Sequence, residues 1–449
     1  MEGLFAPITA RGAAADAVDD RAWLEAMLEA EVALVRALVR CDLAPAAAAK
    51  AVAEAAQPDR FDVVALGQAS AEGGNPVIPL VRELAARVPR DHVEHVHRGA
   101  TSQDVLDTAA MLVLGRALLA LDEDLHAVGE RLAHLAQQHR ATLIAGRTLL
   151  QHAAPTTLGA KLAGHLHGLA RARSDLQRLR RTVLSAQLGG PVGTLAAYGS
   201  RGPAVLAAFA VELGLAEPTV TWHTERARVA EVAGSLGMVA VVLGKVASDL
   251  VLLSQTEIGE ASEGMVGEQG GSSSLPHKRN PVASVAARAA AMRAPGLVAS
   301  LQAAGMGHEH ERAAGAWHAE WMPLRDLVVA TGTAAAWLRQ ALEGLEVRPE
   351  RMRSNLEQEG AALLSQRVSE ALAGRLGRGE AHARVRSVLL SAQETGRPLR
   401  EALLADPALA EAIEATELDE LLDPETYVGS AGALVDRALR EWEQTRDAD

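Results

Sequence analysis

Two stretches of the chain place apolar residues at alternating steps of three and four. The first runs Met111, Leu114, Leu118, Leu121, Leu125, Val128, Leu132, Leu135; the second runs Val229, Val232, Leu236, Val239, Leu243, Val246, Leu250, Leu253. This spacing draws one apolar stripe along an α-helix. Three to four heptads of it predict helices of roughly 36 Å or more, at about 1.5 Å per residue. A third helix is expected after Pro155, with Leu158, Leu162, Leu166, Leu169, Leu176 and Leu179 as its apolar positions and Arg171, Arg173, Asp175, Arg178, Arg180 and Arg181 crowding its far end. A fourth follows Pro281, with Val285, Ala289 and Met292 on one face. The plain reading is an intramolecular helical bundle. The second stretch is apolar off its seam as well, at Ala230, Ala233, Met238, Ala240, Val241, Val242 and Ala247. A helix apolar on most sides should be buried on most sides, which adds packing between subunits to the expectation.

The flanks are patterned differently. Residues up to about 105 mix short helical runs with punctuation such as Gly73-Gly74-Asn75-Pro76. From about 346 the chain is strongly charged, and its short helical runs are separated by Gly396-Arg397-Pro398, Asp406-Pro407 and Asp423-Pro424. The expected organisation is an N-terminal helical domain over 1–105, a central long-helix bundle over 106–345 and a small helical C-terminal domain over 346–449. No clear repeat is present, and Gly270 to Ser274 is the one low-complexity patch.

Composition narrows this further. Of 449 residues, 49% are hydrophobic but only 2% aromatic, so alanine, leucine and valine dominate the apolar content. Alanine and leucine favour helix, and sheet-rich folds usually want more aromatics, so an all-α protein is predicted. The single cysteine, Cys41, rules out an intrachain disulfide and any zinc site built from two or more cysteines. A net charge of −13 opposes nonspecific nucleic-acid binding, yet leaves room for a local basic pocket and an anionic small substrate. The N-terminus lacks a basic start followed by an apolar run. Val229 to Leu253 is interrupted by Glu231, Lys245 and Asp249, so it does not read as a membrane span. The expected setting is cytoplasmic, with no membrane and no nucleic acid as partner.

Four segments could carry chemistry. The first is Gly267 to Pro281, where glycines and serines offer backbone N–H groups to an anion and Lys278 and Arg279 add positive charge. Its plain reading is a connector, though a connector rarely needs three serines, a basic pair and Asn280-Pro281. The second is His97-Arg98-Gly99-Ala100-Thr101-Ser102-Gln103-Asp104, just before the first seam. One of Thr101 and Ser102 suffices as a helix cap; the additional His97, Arg98 and Gln103 suggest an anion site at the helix N-terminus. The third, Gly146 to Thr157, carries Arg147, Gln151 and His152, and a lone histidine before a helix is more often structural than catalytic. In the fourth, His308-Glu309-His310-Glu311-Arg312 precedes Trp317, His318, Glu320 and Trp321. Two histidines with two glutamates invite a metal, but helical ligands want i and i+4 spacing. A polar wall with Arg312 available to a carboxylate is the better reading.

Together these segments resemble the fumarase/aspartase superfamily. Gly271 to Pro281 is similar to its GSSxMPxKxNP signature, with Leu275 in place of the methionine; His97 to Ala109 resembles its first conserved region and Gly146 to Gly159 its second. The three occur in family order, and the resemblance extends over nearly the whole chain. Within the superfamily, the phrases HRGATSQDV, GNPVIPLV (74–81) and EHERAAGAWHAEW (309–321) look like the branch that lactonises 3-carboxy-cis,cis-muconate in protocatechuate degradation. The resemblance implies a homotetramer with a twenty-helix core, each active site drawing its three regions from three subunits. It implies a tricarboxylate substrate and no metal or organic cofactor. It makes Ser272 the proton-transfer residue, with Lys278 stabilising its alkoxide and His152 and His97 as polar or proton-shuttling groups. Thr101, Ser102, Gln151, Asn280, Arg147 and Arg312 are then candidates for holding substrate carboxylates. Adenylosuccinate lyase, or another fumarate-releasing lyase of the superfamily, is the alternative. Against it stands Leu149, at the position following Gly-Arg-Thr where adenylosuccinate lyase and fumarase have a histidine.

Overall fold

The computed structural model describes residues 3–264, 270, 271, 275 and 278–446. The chain is helical nearly throughout. Its N-terminal part contains α1 (Asp20–Arg40), α2 (Ala46–Ala55), α3 (Val63–Gly73) and α4 (Val77–Arg87). The first seam lies in α5, a 37-residue helix over Ser102–Gln138, and every seam residue from Met111 to Leu135 is buried. Two short strands follow, β1 (Leu143–Thr148) and β2 (Gln151–Thr157), and then α6 (Leu158–Thr182) with its six predicted leucines buried. Next come α7 (Gly202–Leu213) and α8 (Ala227–Leu253), the second seam, again buried along its whole stripe. Strand β3 (Ala261–Glu263) precedes α9 (Val282–Ala291), α10 (Ala294–Met306) and α11 (Ala316–Glu343). Strand β4 (Leu345–Val347) pairs antiparallel with β3, and seven further helices and two 3₁₀ turns complete the chain to Arg446.

Two compact units emerge. One comprises Met1–Ala127, Arg171–Ala247 and Ala283–Gln340; the other comprises Val128–Ala170, Ser248–Val282 and Ala341–Asp449. In the first, α1 packs on α7 and α2, joining residues far apart in sequence into one apolar core with Leu24, Leu28, Leu34 and Leu38 fully inside. In the second, the β1–β2 hairpin lies against Pro349–Glu359, and Ser365–Leu376 packs on Arg378–Thr395 around Val368, Leu372, Val385 and Leu403.

The long apolar helices keep some of their greasy surface uncovered within one chain. By length and composition α8 could cross a membrane, and half of its most apolar window is buried inside the chain. Val241 on its outer side is 67% exposed. The face of α9 predicted to carry Val285, Ala289 and Met292 points outward, with Met292 70% exposed, while Ala283, Ala286, Ala287 and Ala290 form the inner face.

Candidate active site

In the first unit the chemistry gathers at the start of α5. Before the helix the chain turns sharply: His97 and Gly99 have φ of 54° and 79°. A Cβ at Gly99 would sit 2.7 Å from the Tyr198 ring, so this left-handed position also needs a residue with no side chain. Tyr198 in turn donates its hydroxyl to the Arg98 carbonyl at 2.8 Å. Burial and the carboxylates of Asp104 and Glu31 push the Tyr198 phenol far up, so it stays a neutral donor.

Thr101 occupies the cap position, but its hydroxyl does not cap. It accepts from Arg312 Nη1 at 2.6 Å, while the Thr101 N–H is satisfied by Asp104 Oδ2 at 2.9 Å. The backbone amides of Ser102 and Gln103 find no partner among the described residues, nor does the Ser102 hydroxyl. The helix therefore opens on two free N–H groups, two hydroxyls and a guanidinium. That arrangement, on the positive end of a 37-residue helix, suits a carboxylate.

Two buried acids hold this arrangement in place. Asp104 accepts from Thr101 N, from Gly189 N and Gly190 N at 2.9 Å each, and pairs with His223 Nε2 at 2.7 Å. One carboxylate thus ties the helix start to the 187–190 loop and to the segment before α8. One turn on, Asp107 accepts from Arg226 Nη1 at 2.8 Å, from Trp317 Nε1 at 3.0 Å and from the Gln103 amide at 3.1 Å. The Arg226 guanidinium reaches Glu320 with its other edge, and Glu320 also pairs with His308 Nε2 at 3.1 Å. Burial alone would push the Glu320 carboxyl up; His308 and Arg226 outweigh it and hold it below its ordinary value. His308 anchors one end of the 308–312 strap, Thr224 Oγ1 donates to the His310 carbonyl in its middle, and Arg312 ends it on Thr101. Asp104 and Glu320 fall inside the candidate segments, but sequence gives them no role of their own, and it gives Asp107 and Arg226 none either.

His97 sits behind this turn, its Nδ1 2.6 Å from Glu31 Oε1. Burial disfavours its charge, but the fully buried Glu31 carboxylate more than offsets that, and the imidazole pKa is raised. The histidines that invited a metal reading diverge: His308 turns to Glu320, whereas only the carbonyl of His310 is engaged. Among the described residues no three His, Cys, Asp or Glu side chains gather as metal ligands.

In the second unit the candidates lie on the β1–β2 hairpin and the 270–281 segment. Arg147, on β1, grips Glu260 with both terminal nitrogens at 2.9 and 2.6 Å, and Asn355 donates to the same carboxylate at 2.8 Å. Its charge is therefore already matched. His152 lies opposite Arg147 on β2, its Nδ1 buried without a partner among the described residues. Gln151 is exposed at the end of β2. The turn between the strands is Leu149-Leu150, with φ of 52° and 65°, and the two side chains are 96% and 74% exposed. Further on, Asn280 folds its segment back: its N–H and side-chain amide both donate to the Gly270 carbonyl, at 2.9 and 3.3 Å. The Lys278 N–H donates to the Leu275 carbonyl at 3.0 Å. Ser272 lies outside the described residues.

A mostly helical chain with central helices of 27 and 37 residues, one of which opens on unpaired amides, two hydroxyls and a strap arginine, has the architecture of a long-helix bundle with a potential anion site at a helix N-terminus. Residues 7–296 match a family model described as lyase, and residues 362–438 one described as adenylosuccinate lyase C-terminus. The chain belongs to the fumarase/aspartase superfamily. It is 47% identical over 425 residues to 3-carboxy-cis,cis-muconate cycloisomerase from Pseudomonas aeruginosa, covering 94% of this chain and 92% of that one. It is also 44% identical over 448 residues to nitrosuccinate lyase from Streptomyces davaonensis, covering 97% and 94%. The crystal structure of 3-carboxy-cis,cis-muconate lactonizing enzyme from Pseudomonas putida superimposes with a TM-score of 0.93 at 41% identity, over 99% of this chain and all of that one.

Proposed function

We propose that the protein is a cycloisomerase that lactonises 3-carboxy-cis,cis-muconate to 4-carboxymuconolactone in protocatechuate catabolism. What carries the reading is the end-to-end likeness to enzymes of that name, 37–47% identical over 89–99% of this chain in four bacteria. The chemistry fits the residues. One substrate carboxylate oxygen adds to a carbon of the diene, forming the ring C–O bond. The electron pair of that double bond moves to the neighbouring carbon and into its carboxylate, and a proton then neutralises it. The barrier is the added charge, and preorganised donors lower it. Ser272 is the residue that delivers the proton, its alkoxide stabilised by Lys278. Thr101, Ser102 and Arg312 hold one carboxylate, and Gln151 and Asn280 contribute further polar contacts. His152, with its free buried nitrogen, and His97 are the candidates for relaying a proton. Arg147, matched to Glu260, holds the hairpin.

The protein works as a cytoplasmic homotetramer. The outward apolar faces of α8 and α9 are covered by other copies of the chain, and the three motif regions of one site come from three of them. This is why Leu149 and Leu150 stand clear of their own chain.

A second reading has its own support in the 44% identity to a nitrosuccinate lyase. Eliminating nitrite from nitrosuccinate also builds charge beside a carboxylate, and nitrite, like a carboxylate, departs without being protonated. The deciding measurement is the ultraviolet absorbance of 3-carboxy-cis,cis-muconate mixed with the purified enzyme. Loss of the diene signal, absent in Ser272→Ala, is the expected result. A stable diene signal, with nitrite released from nitrosuccinate, would replace the cycloisomerase with the lyase.

A further inference from the structure

Arg312 reaches Thr101 from a non-helical segment between α10 and α11. A long side chain on a free backbone has many conformers, and holding it in one place costs entropy. Here the backbone is moored three times. His308 Nε2 donates to Glu320 Oε1 at 3.1 Å, with both side chains no more than 3% exposed. Thr224 Oγ1 donates to the His310 carbonyl at 2.8 Å, and the Glu309 carboxylate accepts from the Ala314 N–H at 2.9 Å. Between these moorings His310 stands at φ 47°, a left-handed conformation that persists in a side-chain-bearing residue where its surroundings over-determine it. The far end of the strap gives the moorings a use. Thr101 Oγ1 accepts from Arg312, which leaves the proton of that hydroxyl to donate to a ligand beside the free amides of Ser102 and Gln103.

We propose that His308 is a positioning residue for substrate recognition. It touches no substrate; its bond to Glu320 sets the strap so that the Arg312 guanidinium faces the substrate carboxylate and turns the Thr101 hydroxyl into a donor toward it. This role presupposes the assignment of Thr101 and Arg312 to a substrate carboxylate. Glu320 is a fixed post, because Arg226 grips it from the other side and is itself held by Asp107. Loss of His308 therefore leaves Glu320 paired with Arg226, and the effect falls on the strap rather than on the buried acids. The second ring nitrogen of His308, Nδ1, is buried without a partner among the described residues, so the bond to Glu320 is the one polar contact of that side chain there.

The test is a double-mutant cycle on the full-length enzyme, with KM and kcat read from turnover of 3-carboxy-cis,cis-muconate. His308→Leu should raise KM by about tenfold, since a displaced binding group costs up to about a hundredfold. A grip that is equal before and during the reaction appears in KM, so kcat should hold. His308→Gln, whose amide can put a donor where Nε2 stood, should recover most of the loss. In an Arg312→Gln background His308→Leu should cost nothing further, because a residue acting through Arg312 has nothing left to position. A purely structural histidine would lower the melting temperature with KM unchanged, or add its full cost to that of Arg312→Gln; either result overturns the proposal. Thr224→Val deletes only the middle hydrogen bond and should raise KM by a smaller factor. If His308→Leu does not fold, an unchanged KM in Thr224→Val overturns the proposal instead. A wild type that leaves muconate untouched but releases nitrite from nitrosuccinate would refute the proposed reaction and not this role; the cycle is then read on nitrosuccinate, whose carboxylates make the same demand of Arg312. With neither activity, hydrogen–deuterium exchange over 307–315 decides: His308→Leu should speed exchange there and not along α11, and equal rates would overturn the proposal.

Discussion

Replacing Arg226 with methionine removes the one cation between Asp107 and Glu320. All three side chains are no more than 4% exposed, so solvent cannot take over the guanidinium's role. Breaking a buried ion pair by deleting one partner costs about 3–5 kcal/mol, because the other charge is left unmatched. Unfolding entropy near 2.1 cal/mol/K per residue over 449 residues gives about 0.9 kcal/mol/K. The melting temperature of Arg226→Met should therefore fall by about 3–5 °C at pH 7.5. Adding Glu320→Gln to that variant removes one orphaned charge and should recover part of the loss. The pH dependence has a definite sign. The folded-state pKa of Glu320 is depressed below its ordinary 4.5, so its stabilising contribution is present above that value and lost as pH falls through the folded value. The gap between wild type and Arg226→Met should accordingly narrow on acidification below about pH 4.5. Differential scanning calorimetry across pH 3.5–8 reads all three quantities. A melting point for Arg226→Met equal to wild type, or a double variant less stable than the single one, would refute the claim that this arginine balances two buried carboxylates.

Other expectations follow from the same geometry. Ser272→Ala should lower kcat by a few orders of magnitude with the melting temperature unchanged; near-wild-type turnover would remove Ser272 from the mechanism. Arg312→Gln frees the Thr101 hydroxyl and deletes a charged donor worth about 1.5–3 kcal/mol, so kcat/KM should drop by roughly ten- to a hundredfold in steady-state assays. Leu149→His should give the muconate reaction no gain from a new acid, and a large rate increase would sink the leaving-group argument. Gly129→Ala places a Cβ 2.0 Å from Trp442 Cη2, and that indole is buried and tied to Glu130; the overpacking should cost about 1–3 kcal/mol, read as a lower melting temperature.

The long helices were legible because their signal is local and repeated: eight apolar positions at three-four spacing leave little else for a chain to do. The β1–β2 hairpin was not. Two-residue turns of this kind advertise themselves through Asn-Gly or Asp-Gly, whose left-handed backbone is cheap. Here Leu149 and Leu150 take that conformation, and nothing in either residue announces it. Thr101 and Arg312 were each named from sequence as candidates for holding a carboxylate, but their meeting, 211 positions apart, was not legible. Nor was the partnership of Asp107 and Glu320 across Arg226. A charge reads as surface in a sequence, and only long-range packing shows which charges are matched inside.

Leu149 narrows the chemistry without choosing between its two best readings. A departing amine or hydroxyl is strongly basic and gains from an acid placed beside it. A carboxylate, with a pKa near 4, and nitrite need none. An exposed leucine on a hairpin tip can donate no proton, so this position disfavours the fumarate-releasing enzymes that expel amines and permits both lactonisation and nitrite loss. The distinction between those two then rests on how many negative groups the site must hold. Muconate with its extra carboxylate presents three; nitrosuccinate presents two and a neutral nitro group. With Arg147 occupied by Glu260, the cations we propose for a third carboxylate are Arg312 and the Lys278-Arg279 pair. Charge removal there should therefore weaken a tricarboxylate substrate more than a dicarboxylate one.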